Sequence, residues 1–399
     1  MKKRQIVIFG LAILGVLLFT GSVMAAQLSP KEQLGKSIFF DQNLSINQNQ
    51  ACAACHAPEV GWTGPDEAIN LHGAVYEGSI PGAFGNRKPP SSAYATQSPI
   101  LNFLRQQVWV GGNFWDGRAT GERLGNPAAD QAQGPFLNPK EQALPNAACV
   151  VYRVLNPAVP ADYPVTYQDV WGDPGIVWPG DPCSGSISLS DEDIAKVNQA
   201  YDNIALSIAA FEASFEVSAF TSKFDFARKG MAKLTKQEQR GFALFQGKGK
   251  CARCHVSSGQ KPLFTDYTYD NLGIPKNPEN PVYAYDPGFI DPGLGGYLKS
   301  AGYPAAVYGA QWGKFKVPTL RNVDKRPAEV FVKAYGHNGY FKSLEEIVHF
   351  YNTRDMGSWP APEVAANLNT KEVGNLGLKP EEEAAIVAFL KTLSDGYMP

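Results

Sequence analysis

The chain has 399 residues, 44% of them apolar and 19% charged, with a formal net charge of -2. That length exceeds one comfortable hydrophobic core and suits two domains. The near-neutral balance excludes a protein built to hold nucleic acid by charge, and the apolar content excludes a disordered one.

The first residues read as an export signal. Lys2, Lys3 and Arg4 precede an apolar run from Ile6 to Phe19, and Val23-Met24-Ala25-Ala26 offers small residues for cleavage. Residues 1–26 are therefore expected to be a signal peptide. The alternative is an uncleaved anchor, because the run approaches the ~20 residues that span a bilayer. Either way the rest of the chain is exported, and no later stretch is apolar enough to cross a membrane.

The mature part opens on a capping box, Ser29-Pro30-Lys31-Glu32, with proline at the first helical position. A second box, Thr235-Lys236-Gln237-Glu238, repeats it. Glycine follows each cap by six residues (Gly35, Gly241) and phenylalanine by ten (Phe39, Phe245). After each of these helices comes Cys-x-x-Cys-His: Cys52, Cys55 and His56, then Cys251, Cys254 and His255. This is the attachment pattern of c-type haem, in which both thiols add to the porphyrin vinyl groups and the histidine becomes the proximal iron ligand. The competing readings are weaker. Zinc needs partner pairs nearby, whereas these motifs lie about two hundred residues apart. A thioredoxin-like pair does not need the histidine. The remaining cysteines, Cys149 and Cys183, read as a structural disulfide in an oxidising compartment.

Between the halves, a helix is expected after Ser190 with Ile194, Val197, Tyr201, Ile204, Ile208, Phe211 and Phe215 on one buried stripe. Residues 259–318 are rich in glycine and proline and read as long loops over the haem edges. Ser343 caps a helix carrying Leu344, Val348 and Tyr351 on one face, and Pro380 opens a last one with Ile386, Phe389, Leu390 and Leu393 inward. The fold class is therefore mainly α, with two cytochrome c-like domains joined by long loops: residues 27–228, including the linking helix, and residues 229–399.

Around these motifs the chain resembles the bacterial di-haem cytochrome c peroxidases and their MauG-type relatives. The resemblance runs through Phe39-Phe40-Asp41, Leu44-Ser45, Phe114-Trp115-Asp116-Gly117-Arg118-Ala119, Gln131, Gly134-Pro135, Asn138-Pro139 and Glu141. It resumes at Arg240-Gly241, Phe264-Thr265-Asp266, the run from Val317 to Val323, and His337-Asn338-Gly339. It implies two haem c groups in a periplasmic enzyme that reduces hydrogen peroxide at the N-terminal haem with electrons passed through the C-terminal one. Glu141 then matches the acid/base of the peroxide pocket, Gln131 the amide that orients peroxide, Pro135 a wall, and Trp115 the indole between the haems. On local chemistry alone, Glu141 and Gln131 are ordinary loop polars and Trp115 a packed aromatic.

Tyr351 is fourteen residues beyond His337. The resemblance implies a distal ligand of the second haem there, methionine in conventional members and tyrosine in MauG-type ones. A phenolate favours oxidised iron where methionine raises the potential, so Tyr351 tilts the reading toward high-valent chemistry from the ferric state and the MauG-like subgroup, and leaves the substrate open. The alternative is a packing role for Tyr351, with Met356 or no side chain as ligand; His349 points elsewhere round the helix. His72 matches loosely a switchable ligand of the first haem, and is otherwise a loop histidine. Asn86 is the candidate side-chain ligand for a calcium ion that the family holds between its domains. Two insertions, between Trp115 and Gln131 and between Asn322 and His337, and Asn338 in place of aspartate, depart from the pattern. The electron source is expected to be a small cytochrome or a residue on another protein. The rival class is a non-catalytic di-haem electron carrier, which needs neither Glu141 nor Gln131.

Overall fold

A computed structural model describes residues 27–104, 108–157, 163–185 and 187–399. The expected export segment, residues 1–26, lies outside them. The helices described are α1 (Pro30–Phe40), α2 (Glu67–Leu71), α3 (Pro127–Leu137), α4 (Ala147–Leu155), α5 (Tyr167–Trp171), α6 (Asp191–Ala213), α7 (Lys223–Arg228), α8 (Lys236–Gln246), α9 (Val282–Tyr285), α10 (Gly293–Ser300), α11 (Ala305–Gly309), α12 (Leu344–Thr353) and α13 (Pro380–Lys391). Two antiparallel ladders join them, β1 (Asn102–Phe103) with β2 (Trp109–Val110) and β3 (Tyr269–Asp270) with β4 (Phe315–Lys316). The protein is mainly helical.

The two capping boxes form as the sequence predicts, and start α1 and α8. Each entry helix then crosses a partner at its glycine. A Cβ on Gly35 of α1 would overlap the Ser207 carbonyl of α6, and one on Gly241 of α8 would overlap the Ala385 carbonyl of α13. Only glycine lets the backbones approach this closely. The helix pairs α1/α6 and α8/α13 are thus the same crossing built twice.

Each crossing anchors one core. The first gathers Leu34, Ile38, Phe39, Phe136, Val150, Ile204, Ile208, Phe211 and Val217. The second gathers Phe224, Phe245, Phe264, Phe341, Phe350, Ile386, Phe389 and Leu393. Phe224 in α7 packs with the second core, a little ahead of the expected boundary at residue 228. Asp225 beside it accepts two bonds from the fully buried Arg321 guanidinium, at 2.6 and 3.0 Å. A third cluster, Leu101, Trp109, Tyr269, Leu294 and Leu298, bridges the halves.

Three expectations change. Ile194 lies in the first turn of α6, where it stays exposed, and Phe215 falls past the helix end. Residues 259–318 are not continuous loop: α9, α10, α11 and the β3/β4 ladder interrupt them. Cys149 of α4 is bonded to Cys183, as expected.

Candidate active site

Each Cys-x-x-Cys-His motif folds into a single tight turn. His56 N donates to Cys52 O at 3.0 Å, and His255 N to Cys251 O at 2.8 Å. The turn turns both thiols and the following imidazole toward one cavity of about 530 Å³ that continues from one motif to the other. The four thiols are unpaired. His56 Nδ1 faces Trp62 O at 3.3 Å and His255 Nδ1 faces Phe264 O at 2.8 Å. A carbonyl on Nδ1 fixes the tautomer that leaves Nε2 free to bind a metal.

This donor set fits a haem. Burial pushes the Cys55, Cys251 and Cys254 thiols up to about 12 and the His56 imidazole down to about 4. Such groups are costly inside an apolar wall unless they bond to something. A zinc site fails the same test. Among the described residues, the one cluster of possible ligands joins Cys254 to Asp270 and Glu372 without either histidine.

On the N-terminal side, Asn126 accepts from Ala128 N at 2.8 Å and Pro127 follows it, starting α3. Gln131 and Pro135 lie one helical turn apart on that helix, and both line the cavity. Glu141 follows the helix end and lines it too. Its carboxylate accepts from Asn138 Nδ2 at 2.8 Å. Burial raises the Glu141 carboxyl above its usual value, with Arg118 and Asn138 pulling the other way. The Arg118 guanidinium stacks 3.6 Å from the Phe114 ring centre.

Between the motifs, the Trp115 indole N–H donates to Lys88 O at 2.8 Å, while Trp115 O accepts from Lys316 N at 2.9 Å. Lys88 N in turn donates to His337 O at 2.9 Å. Beside them Arg87 pairs with Asp291 and Asp116, both at 2.6 Å. His337 is buried and stacked on Phe315, ring centres 3.5 Å apart. Asn338 donates to Pro275 O at 2.8 Å. An ionised aspartate has no such proton to give, which accounts for the departure at this position.

On the C-terminal side, Ser343 accepts from Glu346 N at 3.0 Å and starts α12. Tyr351 lines the cavity, and burial together with the Cys251 and Cys254 thiols raises its phenol. Met356 is 62% exposed on the turn beyond the helix. His349 points away and meets the Glu383 carboxylate at 3.1 Å. Of the three candidates, only Tyr351 reaches the cavity.

Comparison with known proteins decides the family. The profile described as di-haem cytochrome c peroxidase matches residues 29–233. The methylamine utilization protein MauG of Paracoccus denitrificans is 33% identical over 381 residues, covering 91% of this chain and 88% of that protein. The chain belongs to the di-haem cytochrome c peroxidase family. Cytochrome c551 peroxidase of Nitrosomonas europaea is 26% identical over 410 residues, covering 99% of this chain and 92% of the relative. Among solved structures, the di-haem peroxidase BthA of Burkholderia thailandensis superposes with a TM-score of 0.73 at 27% identity, covering 93% of this chain and 87% of BthA.

One expected site residue is not assembled with the rest. His72 ends α2 on the surface, paired with Glu279 at 3.0 Å, and does not line the cavity. The longer loop after it carries it outward. Asn86 does reach the cavity wall, but the polar groups around it are engaged with one another. Its own carbonyl accepts from Asn280 Nδ2 at 2.8 Å, Arg87 and Lys88 follow it, and Asp116 and Asp291 are spent on Arg87. Calcium takes six to eight oxygens.

Instead, oxygen cages at the boundary between the halves hold lysines, which the sequence reading of this peroxidase passed over. Lys333 Nζ donates to Val60 O, Asn322 O and Lys325 O at 2.8, 3.1 and 2.9 Å. Lys316 Nζ donates to Ser98 Oγ and Asn113 Oδ1, both at 2.8 Å, and to Gly112 O. Nothing in a lone lysine's local sequence marks it as buried; the acceptors lie up to 273 residues away.

Proposed function

We propose that this peroxidase carries a covalent haem c at each Cys-x-x-Cys-His motif and works in the periplasm as a MauG-like oxidoreductase. The observation behind this reading is one cavity lined at one end by Gln131, Pro135 and Glu141, at the other by Tyr351, and between them by Trp115. His56 and His255 would each hold the iron of a haem, which would supply the redox chemistry for peroxide reduction at the first site and electron storage at the second. Cys52 and Cys55, and Cys251 and Cys254, tether the two groups.

The protein's part is proton and substrate handling. Peroxide reduction takes two electrons and two protons to two waters. The Glu141 carboxylate accepts the proton of incoming peroxide and returns it to the departing oxygen. The Gln131 amide orients the peroxide, and Pro135 keeps the wall dry. Trp115 offers a conjugated ring between the sites, held at both its backbone and its indole. Tyr351 presents a hard oxygen donor on the second site, which favours oxidised iron. That assignment supports the MauG-like subgroup; the electron source is a small cytochrome or a residue on another protein.

Lys2, Lys3, Arg4 and the following apolar run support export. No helix of the described residues is long and apolar enough to cross a membrane.

The test is rapid-mixing optical spectroscopy of the fully ferric protein with one equivalent of hydrogen peroxide. Prompt loss and shift of the haem bands supports the MauG-like reading. Reaction only after half-reduction would make it a conventional cytochrome c peroxidase. Two haems that refuse peroxide, cyanide and carbon monoxide in every redox state would leave a passive carrier.

A further inference from the structure

The duplicated crossing allows the two haem sites to be aligned residue by residue. Phe211 Cβ packs on Gly35 as Phe389 Cβ packs on Gly241, and Ser207 O and Ala385 O occupy matching places. Ile208 therefore corresponds to Ile386, and Glu212 to Leu390. All four line the cavity. Leu390 is 5% exposed and Glu212 3%. Where the C-terminal site has a packed leucine, the N-terminal site has a carboxyl group.

An apolar residue suffices for this packing position, so the acid is not there to fill space. It is also not there to hold a charge partner. Glu212 Oε2 has no hydrogen-bond partner. The Ser92 hydroxyl lies within hydrogen-bond reach of the carboxyl, and burial raises that carboxyl to about 8. The ionisable groups around it are few. Lys36 of α1 is turned to Glu216, at 2.5 Å. The tight turn of the first Cys-x-x-Cys-His motif contributes the Cys52 thiol, which feels the Glu212 charge. Lys88 and Glu141 stand elsewhere on the same cavity wall, and Lys88 is engaged by Thr63 and Pro89. An unpaired buried carboxyl beside a redox centre costs least when protonation follows the charge of that centre.

We propose that Glu212 is the proton-accepting group of the N-terminal haem, ionised when the iron is ferric and protonated when it is ferrous. One electron added at the iron is then matched by one proton taken from solvent onto the Glu212 carboxylate, and oxidation releases it. The C-terminal site, with Leu390, has no such partner. Glu212 is a positioning residue for charge, acting through the haem rather than on peroxide. The inference rests on haem binding at His56, as proposed above.

The experiment is a spectroelectrochemical titration of both haems in the holoprotein across about pH 5.5–9, in the wild type, Glu212→Gln and Glu212→Leu. The leucine variant uses the residue that the other half already packs there. A one-electron, one-proton couple moves about 59 mV per tenfold change in proton concentration. The N-terminal potential of the wild type should fall with pH at a slope approaching that value, and both variants should flatten it while the C-terminal haem keeps its own profile. Redox-difference infrared spectra should show a protonated carboxyl band on reduction that Glu212→Gln removes. A flat wild-type profile, or a slope and band that survive in both variants, overturns the proposal and leaves Glu212 a structural partner of Ser92. A chain that takes up no haem at His56 sinks the earlier reading too, and is recognised by its missing absorption bands.

Discussion

The Trp115 indole N–H is bonded to the Lys88 carbonyl oxygen at 2.8 Å, and the Trp115 backbone carbonyl to Lys316 N at 2.9 Å, so the side chain is held from one half of the molecule and the backbone from the other. Trp115→Phe keeps an aromatic ring but removes the N–H. The Lys88 carbonyl is left unpaired, at a cost of about 1–3 kcal/mol, and the ring loses its fixed orientation. We expect transfer between the haems to slow by about tenfold, the effect of some 1.4 kcal/mol on a barrier, with both haems still attached. Photochemical reduction of one haem followed optically at the other measures it. Unchanged transfer would remove Trp115 from the relay.

Glu141 is the second test. Because burial raises its carboxyl, the folded protein keeps it protonated to a higher pH than an exposed glutamate. The base form, and with it peroxide activation, is therefore present above the raised value and lost as pH falls through it. The rate of the ferric protein with peroxide should rise with pH across that window. Glu141→Gln should lower the rate about 10²–10⁴-fold and flatten the profile, leaving the resting spectrum alone. A profile that persists in the variant assigns the proton transfer to another group.

Tyr351→Met exchanges an oxygen donor for a thioether. The potential of the second haem should rise, and the ferric protein should stop reacting promptly with peroxide until half-reduced. Tyr351→Phe separates donor chemistry from packing: it keeps the ring that fills the wall but removes the oxygen. If both variants react like the wild type, Tyr351 only packs.

These residues were legible because their evidence is local. Two Cys-x-x-Cys-His turns, two capping boxes and the spacing of Gly35 and Gly241 are short-range patterns, and the structure assembles them as two equivalent helix crossings. Gln131, Pro135, Glu141 and Tyr351 were legible through their order along the chain, and all four reach one cavity. What escaped is tertiary. A lysine in sequence is normally solvated, yet Lys333 and Lys316 are caged by oxygens from distant segments. Glu212 lies on a helix read correctly as amphipathic, but only the superposition of that helix on α13 shows that a leucine would fit its place. His72, matched only loosely by its offset from His56, stands as the loop histidine that was the other reading, paired with Glu279 on the surface.

The last prediction concerns the stability of the second core. Arg321 is wholly buried and forks onto Asp225, whose carboxyl the guanidinium holds below the usual carboxylate range. Arg321 also donates to Pro262 O at 2.9 Å, so the pair ties α7 to the second core. A carboxyl with a depressed folded pKa contributes stability above its unfolded value near 3.9, and loses it as pH falls through the folded one. The wild type should therefore hold a stability increment at neutral pH that fades below about pH 4. Arg321→Met strands the Asp225 charge and should cost about 3–5 kcal/mol at pH 7. Asp225→Asn strands the guanidinium, and should cost a similar amount while removing this part of the acid sensitivity. Urea unfolding of the holoprotein at pH 7 and pH 3.5 measures both. A chelator added to the same titration should move nothing, because the oxygens that cage Lys333 and Lys316 are already taken by those amino groups rather than left for an exchangeable ion. A midpoint that falls with chelator would mean that a metal is bound there after all, and that the lysine cages are not its replacement.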